Sequence, residues 1–220
     1  MAGRNSENYG NKETAENTEN KEQKQELPEH FEKKYKLKEE AQEYEAGEGK
    51  YKYETDKQGR IKRCYGELEL HPDNERNNYA QRKAGGEDRR TGEINSKDDG
   101  GHLIGRRFGG SAEVDNIVAQ DSKLNRGEYK KMEDNWESYL KETNENGEQK
   151  YHVNVDIRCK YNEVKEDTGK KDSERPSEIY VYSKVTDNEG NVVGKQVYRF
   201  KNESDPEIRV KDMNKAEEEQ

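Results

Sequence analysis

Apolar residues are scarce in this chain: the hydrophobic types make up 26% of its 220 residues, against 41% for Asp, Glu, Lys and Arg. That balance cannot bury the whole chain in dense cores, so one ordinary domain with polar tails is the expectation. Long apolar runs are absent as well. No stretch approaches the roughly 20 residues that cross a bilayer, and no apolar segment follows the first charges. A soluble protein, cytoplasmic when made and without a readable signal peptide, is therefore expected. Cysteine is limited to Cys64 and Cys159, too few and too far apart for a zinc site. They can pair if their strands lie side by side, or remain two buried thiols.

The net charge of −9 looks unsuited to a polyanionic substrate until it is located. Residues 1–48 hold eight Lys/Arg against thirteen Asp/Glu, and residues 203–220 hold three against seven. The remaining 49–202 balance at thirty of each. The excess lies in the tails, so the local field at a site decides what binds there.

Three segments follow from this: a disordered acidic and polar stretch over 1–48, an ordered domain over 49–202, and a charged tail over 203–220. Within the first, Phe31, Tyr35, Leu37 and Tyr44 sketch a marginal helix, with a solvated linker the better reading. Tyr51 to Leu70 reads as a β-hairpin across Asp56-Lys57-Gln58-Gly59. Residues 71–98 read as a long polar surface segment broken at Gly85-Gly86. Tyr129, Met132, Trp136, Tyr139 and Leu140 form the apolar stripe of an amphipathic helix, capped by Asp121 or Ser122 and ended by Asn144 to Gly147. Tyr151 to Tyr161 alternates strictly as a strand, and Ile179–Val185 with Val192–Phe200 forms a last hairpin. The class is α+β: a mostly antiparallel sheet with one principal helix and disordered polar tails.

The chemistry concentrates between Asp99 and Trp136. His102 follows Gly100-Gly101, which permits close approach of backbone, and precedes Leu103-Ile104, which suggests a short strand with the histidine at its rim. A neutral imidazole suits a general base near neutral pH; by itself such a histidine is also an ordinary turn residue. Asn125 offers the neutral oxygen of a Mg²⁺ ligand, or a helix cap. Glu133 falls within the apolar stripe, where a carboxylate must find a partner, orient metal-bound water, or snorkel from the edge. Asn116 sits in the apolar run Val114 to Val118 and needs hydrogen-bond partners. Arg82, Arg89, Arg106, Arg107 and Arg126 are candidate phosphate donors. Gly109-Gly110-Ser111 reads as a turn more than as a phosphate loop.

Taken together, Asp99-Gly100-Gly101-His102, Asp115-Asn116-Ile117-Val118 and Leu124-Asn125-Arg126-Gly127-Glu128-Tyr129 ending in Met132-Glu133 resemble the DNA/RNA non-specific endonucleases. These belong to the ββα-metal, or His-Me finger, superfamily. The run from Tyr79-Ala80-Gln81-Arg82 through Asp88-Arg89 to His102 is similar to nuclease domains that end LXG-type bacterial toxins of type VII secretion. The resemblance implies a ββα-metal finger, with His102 activating water, Asn125 ligating one Mg²⁺ (Mn²⁺ substituting), and Glu133 and Asn116 orienting waters and neighbours. It implies DNA and RNA as substrates, a cognate immunity protein as partner, no membrane, and a signal-peptide-independent export route. The family's motif commonly carries arginine where this chain has Gly100, which turns attention to Arg82, Arg89, Arg106 and Arg107. On one regular helix Asn125 and Glu133 would lie about 12 Å apart along the axis, so Asn125 is expected ahead of the regular helix. The function expected is a Mg²⁺-dependent non-specific endonuclease acting as a toxin domain. The alternative is an inactive nuclease-like module that binds nucleic acid or an immunity protein.

Overall fold

A computed structural model describes residues 26–72, 76–85, 98–162, 174–203 and 209–212. The sheet is built from two antiparallel meanders. In the first, β3 (Glu43–Ala46), β4 (Tyr51–Thr55) and β5 (Ile61–Leu68) follow one another. In the second, β8 (Tyr151–Lys160), β9 (Glu178–Asp187), β10 (Val192–Lys201) and β11 (Arg209–Asp212) do the same. They join where β5 pairs with β8, giving the seven-stranded order β11-β10-β9-β8-β5-β4-β3.

Between β5 and β8 the chain leaves the sheet and builds everything that matters for the site. That excursion holds α1 (Asn78–Gly85), the hairpin of β6 (Asp98–His102) and β7 (Ile117–Asp121), and a long helical run. The run starts as α2 (Ser122–Leu124), opens into a π turn over Asn125–Tyr129 and continues as α3 (Lys130–Lys141). Asp121 caps it, its carboxylate accepting from the backbone N–H groups of Lys123 and Leu124. Met132, Trp136 and Leu140 turn inward at spacings of four, and α3 packs on β8. Strand β8 buries Val153, Val155, Ile157 and Cys159 on one face only, as its alternation requires. Trp136 is fully buried against Phe108, and Tyr129 against Phe200. Truncating a buried aromatic of this kind costs about 3–5 kcal/mol.

The fold is α+β as expected, and four local readings change. Residues 26–48 are structured: β1 (Phe31–Lys33) pairs with β2 (Lys36–Leu37), and β3 adds a strand to the sheet. Their anchors are few but specific. His30 lies 3.0 Å from Asp115, and Tyr44 stacks between His30 and Tyr53. The polar segment 71–98 contains α1. Strand β11 lies in the expected tail. Finally, β6 ends at His102, so the strand precedes the histidine, and Leu103 and Ile104 follow it as buried loop residues. Cys64 and Cys159 are free, buried thiols on the adjacent strands β5 and β8; burial pushes both thiol pKa values up, that of Cys159 to about 12. No helix among the described residues is long and apolar enough to cross a membrane.

Candidate active site

Asn116 fixes the loop between β6 and β7. Its Nδ2 donates to the carbonyls of Ile104 and Ser111, both at 2.8 Å. Its Oδ1 accepts from Ile104 N–H at 3.1 Å and from the Tyr53 hydroxyl at 2.9 Å. With four protein partners and no exposure, Asn116 sits behind the site and positions it. Across the hairpin, Tyr129 donates to the Leu103 carbonyl at 2.7 Å. At the open end, Asn202 accepts from Asp121 N–H and donates to the Ala119 carbonyl, while Arg175 pairs with Asp98. The hairpin is thus tied to the sheet at both ends. Gly109-Gly110-Ser111 is a packed turn: Gly109 has φ +73°, and its carbonyl accepts from the Glu48 and Gly49 N–H groups.

That frame puts His102 at the end of β6, facing a cleft of about 660 Å³. Its Nε2 is buried and has no partner among the described residues. Its Nδ1 lies 3.5 Å from the amide nitrogen of Gln81, which also lines the cleft. Burial first, then the charges of Arg76 and Arg106, lower the imidazole pKa to about 4. His102 is therefore neutral at physiological pH and able to take a proton.

Helix α1 accounts for the departure at Gly100. A Cβ there would sit 2.6 Å from the Gln81 Cα and closer still to its carbonyl oxygen. Ala80 and Ala84, fully buried at i and i+4, let the helix approach the hairpin this closely. A side chain at position 100 and this seat for α1 exclude one another.

The helical run carries the other two candidates. Asn125 donates through Nδ2 to Asp99 at 3.1 Å, while its Oδ1 accepts no hydrogen bond among the described residues. Asp99 is in turn held by both ends of the Arg126 guanidinium. Asn125 lies ahead of the regular helix α3, as expected, although helical structure already begins at Ser122 and Asn125 sits in the π turn between them. On a regular α-helix eight residues advance about 800°, leaving Asn125 and Glu133 about 80° apart. One π turn takes up roughly one residue of rotation and brings them to within about 20°. Both line the cleft, still two helical turns apart.

Glu133 pairs with Arg107 at 3.3 Å. Burial raises its pKa to about 7, and the charge of Arg107 opposes that rise. Gly105 is the close neighbour: its N–H donates to the carboxylate, and a Cβ there would sit 2.6 Å from Oε1. Arg107 is shared further with Asp134 at 2.7 Å and Glu137 at 2.6 Å.

Of the arginines read as phosphate donors, Arg106, Arg107 and Arg126 line the cleft. Arg106 donates to the Gly110 carbonyl and pairs with Glu48. Arg82 lies exposed on α1 over the Tyr79 ring, away from the cleft. Arg89 lies outside the described residues. Two cations that the sequence reading passed over, Arg76 and Lys130, also line the cleft. Lys130 stands four residues before Asp134 and three before Glu133, a helical spacing that could have marked it; Arg76 sits in a polar loop with no such signal. Among the described residues no three His, Cys, Asp or Glu converge as a metal cage. A cation bound mainly through water, with one amide oxygen as protein ligand, does fit Asn125.

Comparison with known proteins adds the family. A family model described as DNA/RNA non-specific endonuclease matches residues 40–187. Type VII secretion system protein EssD of Staphylococcus aureus strain USA300 is 45% identical over 93 residues, 40% of this chain. The EssD of strain NCTC 8325 / PS 47 matches equally. The matched stretch spans 14% of those relatives' length.

Proposed function

This chain belongs to the DNA/RNA non-specific endonuclease family, and from that premise we propose that it hydrolyses DNA and RNA with His102 as general base and a divalent cation at Asn125. The observation that carries the reading is the convergence of a neutral, buried imidazole, two or more cations and an open amide oxygen in one cleft.

His102 takes the proton of the attacking water on Nδ1, where the water replaces the Gln81 amide N–H, 3.5 Å away, as partner of the one lone pair; the neutral tautomer then carries its hydrogen on Nε2. Asn125 would hold a hydrated Mg²⁺, with Mn²⁺ able to substitute, and that ion would supply positive charge against the phosphorane-like transition state. Arg76 and Arg106 hold phosphate oxygens and orient the scissile bond. Glu133, fixed by Arg107 and Gly105, accepts hydrogen bonds from waters in the cleft. Asn116 keeps the loop carrying Gly105 and Arg106 in place. Contacts of this kind go to phosphate and sugar and carry no sequence information, which fits a tolerant enzyme.

The likeness to EssD supports a place among secreted effectors of type VII systems, here as an LXG-type toxin domain with a cognate immunity protein. The inactive-module alternative loses its support at Gly100, because the cleft keeps cations from other positions. Digestion of plasmid and total RNA with Mg²⁺, with EDTA, and with His102→Ala tests the proposal. Metal-dependent cleavage lost in the variant is expected. Cleavage by folded His102→Ala at the wild-type rate would overturn the mechanism.

A further inference from the structure

A second pocket, of about 360 Å³, opens on the other flank of α1. Its lining carries Lys33, Lys34, Lys36, Arg60 and Lys83 against only two carboxylates, Glu39 and Glu174. Lys36 pairs with Glu32 and Glu39, and Arg60 with Asp56, so in a chain of net charge −9 the local excess of positive charge lies at the β1–β2 turn. Lys33 and Lys34 are exposed and make no ion pair among the described residues.

Aromatic rings interleave with these cations. Tyr35 and Tyr79 lie 4.7 Å apart, centroid to centroid, and tilted. Lys34 stands over the Tyr35 ring, Lys83 and Arg82 over Tyr79, and Arg60 over Tyr161. Tyr79 is 44% exposed, an unusual state for a large ring on a helix that buries only two alanines. Tyr35 holds φ +65°, a left-handed conformation uncommon for a bulky residue. Its ring and that of Tyr79 both line the pocket.

The helix connects this pocket to the cleft. On α1, Ala80 and Ala84 face the hairpin; Tyr79 and Lys83 lie about 100° to one side of them and Gln81 about 100° to the other. Tyr79 and Lys83 line the basic pocket, and Gln81 lines the cleft beside His102. The two openings lie on opposite flanks of α1, roughly one helix diameter apart, 10–12 Å, a distance that a few nucleotides of a single strand cross.

We propose that the pocket between the β1–β2 turn and α1 is a binding site for single-stranded nucleic acid. A strand engaged in the cleft continues over α1, stacking a base on Tyr79 and Tyr35 and placing phosphates against Lys33, Lys34 and Lys83. Cations interleaved with open rings are the chemistry by which proteins hold single strands without reading sequence. The inference rests on the nuclease reading for the direction of the strand, and its test separates the two.

Binding of a labelled 20-nucleotide strand is measured by anisotropy on His102→Ala in EDTA, where nothing is cut, and steady-state cleavage is measured in an otherwise wild-type background. The variants are Lys33→Glu with Lys34→Glu, and Tyr79→Ala beside Tyr79→Phe; all these side chains are at least partly exposed and none belongs to the catalytic set. The charge reversal is expected to weaken binding roughly tenfold or more and to flatten the salt dependence by at least about 1.4 in slope. Tyr79→Ala is expected to weaken it roughly tenfold and Tyr79→Phe little. Cleavage of a dinucleotide should be unchanged while KM for the long strand rises. Unchanged affinity and KM for the long strand in both sets would overturn the proposal. So would polyglutamate displacing the strand as well as unlabelled strand does, which would make the pocket a contact for acidic protein. Lysine-dependent binding without any cleavage by the wild type would overturn the nuclease reading and leave the pocket standing.

Discussion

A Cβ on Gly100 would come within 2.6 Å of the Cα of Gln81, so the residue that departs from the family's motif is the floor on which α1 rests. Restoring arginine there should do harm. Gly100→Arg is expected to destabilise the fold by about 1–3 kcal/mol through overpacking, and to reduce cleavage because α1, whose Gln81 lines the cleft, is displaced. A thermal melt and a plasmid digest check this together. A variant that melts like the wild type and cuts faster would show that the helix yields.

Asn116 satisfies two carbonyls and accepts from one N–H and one hydroxyl. Asn116→Asp faces two carbonyl oxygens with a carboxylate, a buried and mispaired charge, and is expected to cost more than about 3 kcal/mol. Tyr53→Phe removes one partner and should cost about 1–2 kcal/mol. Urea denaturation of the two variants reads the difference; equal costs would mean that the loop rearranges around the aspartate.

Burial, and after it the charges of Arg76 and Arg106, disfavours the imidazolium and lowers the His102 pKa to about 4 from 6.5. Between those values the unfolded chain binds more protons than the folded one. Its contribution to stability is therefore complete above pH 6.5 and lost as pH falls towards 4. NMR titration of the metal-free protein should give a His102 midpoint near 4, moving upward in Arg106→Ala. A midpoint near 6.5 in the wild type would remove the electrostatic argument.

Glu133 has the opposite displacement, up to about 7, held from rising further by Arg107. Removing that cation with Arg107→Ala should raise the carboxyl pKa and leave Glu133 protonated at neutral pH. Cleavage by this variant should fall most below pH 7 and recover in part as the pH is raised, whereas Arg107→Lys should keep more of the neutral activity. A pH–rate profile that drops uniformly would assign Arg107 to substrate binding alone.

What the sequence made legible were the elements whose side chains repeat. The stripe Met132-Trp136-Leu140 and the alternation of β8 both announce themselves, and His102, Asn125 and Glu133 meet in one cleft in the order the motifs suggested. Helix α1 did not show because it buries two alanines, and a pattern of two small residues is indistinguishable from a polar loop. Strands β1 to β3 did not show because their order depends on distant partners: His30 needs Asp115, and Tyr44 needs Tyr53. The part played by Arg76 is likewise tertiary. Asn125 does lie ahead of the regular helix α3, but the π turn that holds it did not show because it has no periodic signature of its own.

That π turn absorbs one residue more between Asn125 and Glu133 than a regular helix would need. One residue lost there would let the helix relax to regular α geometry with Trp136 still in its pocket, the cap at Asp121 intact and Asn125 still within about 20° of Glu133, because seven α-helical residues advance about 700°; one residue gained would turn Asn125 about a quarter revolution away. The turn at Asn144–Gly147, by contrast, could lengthen without any consequence for the cleft. Among related chains, this interval should therefore occur either at eight residues with the π turn or at seven without it.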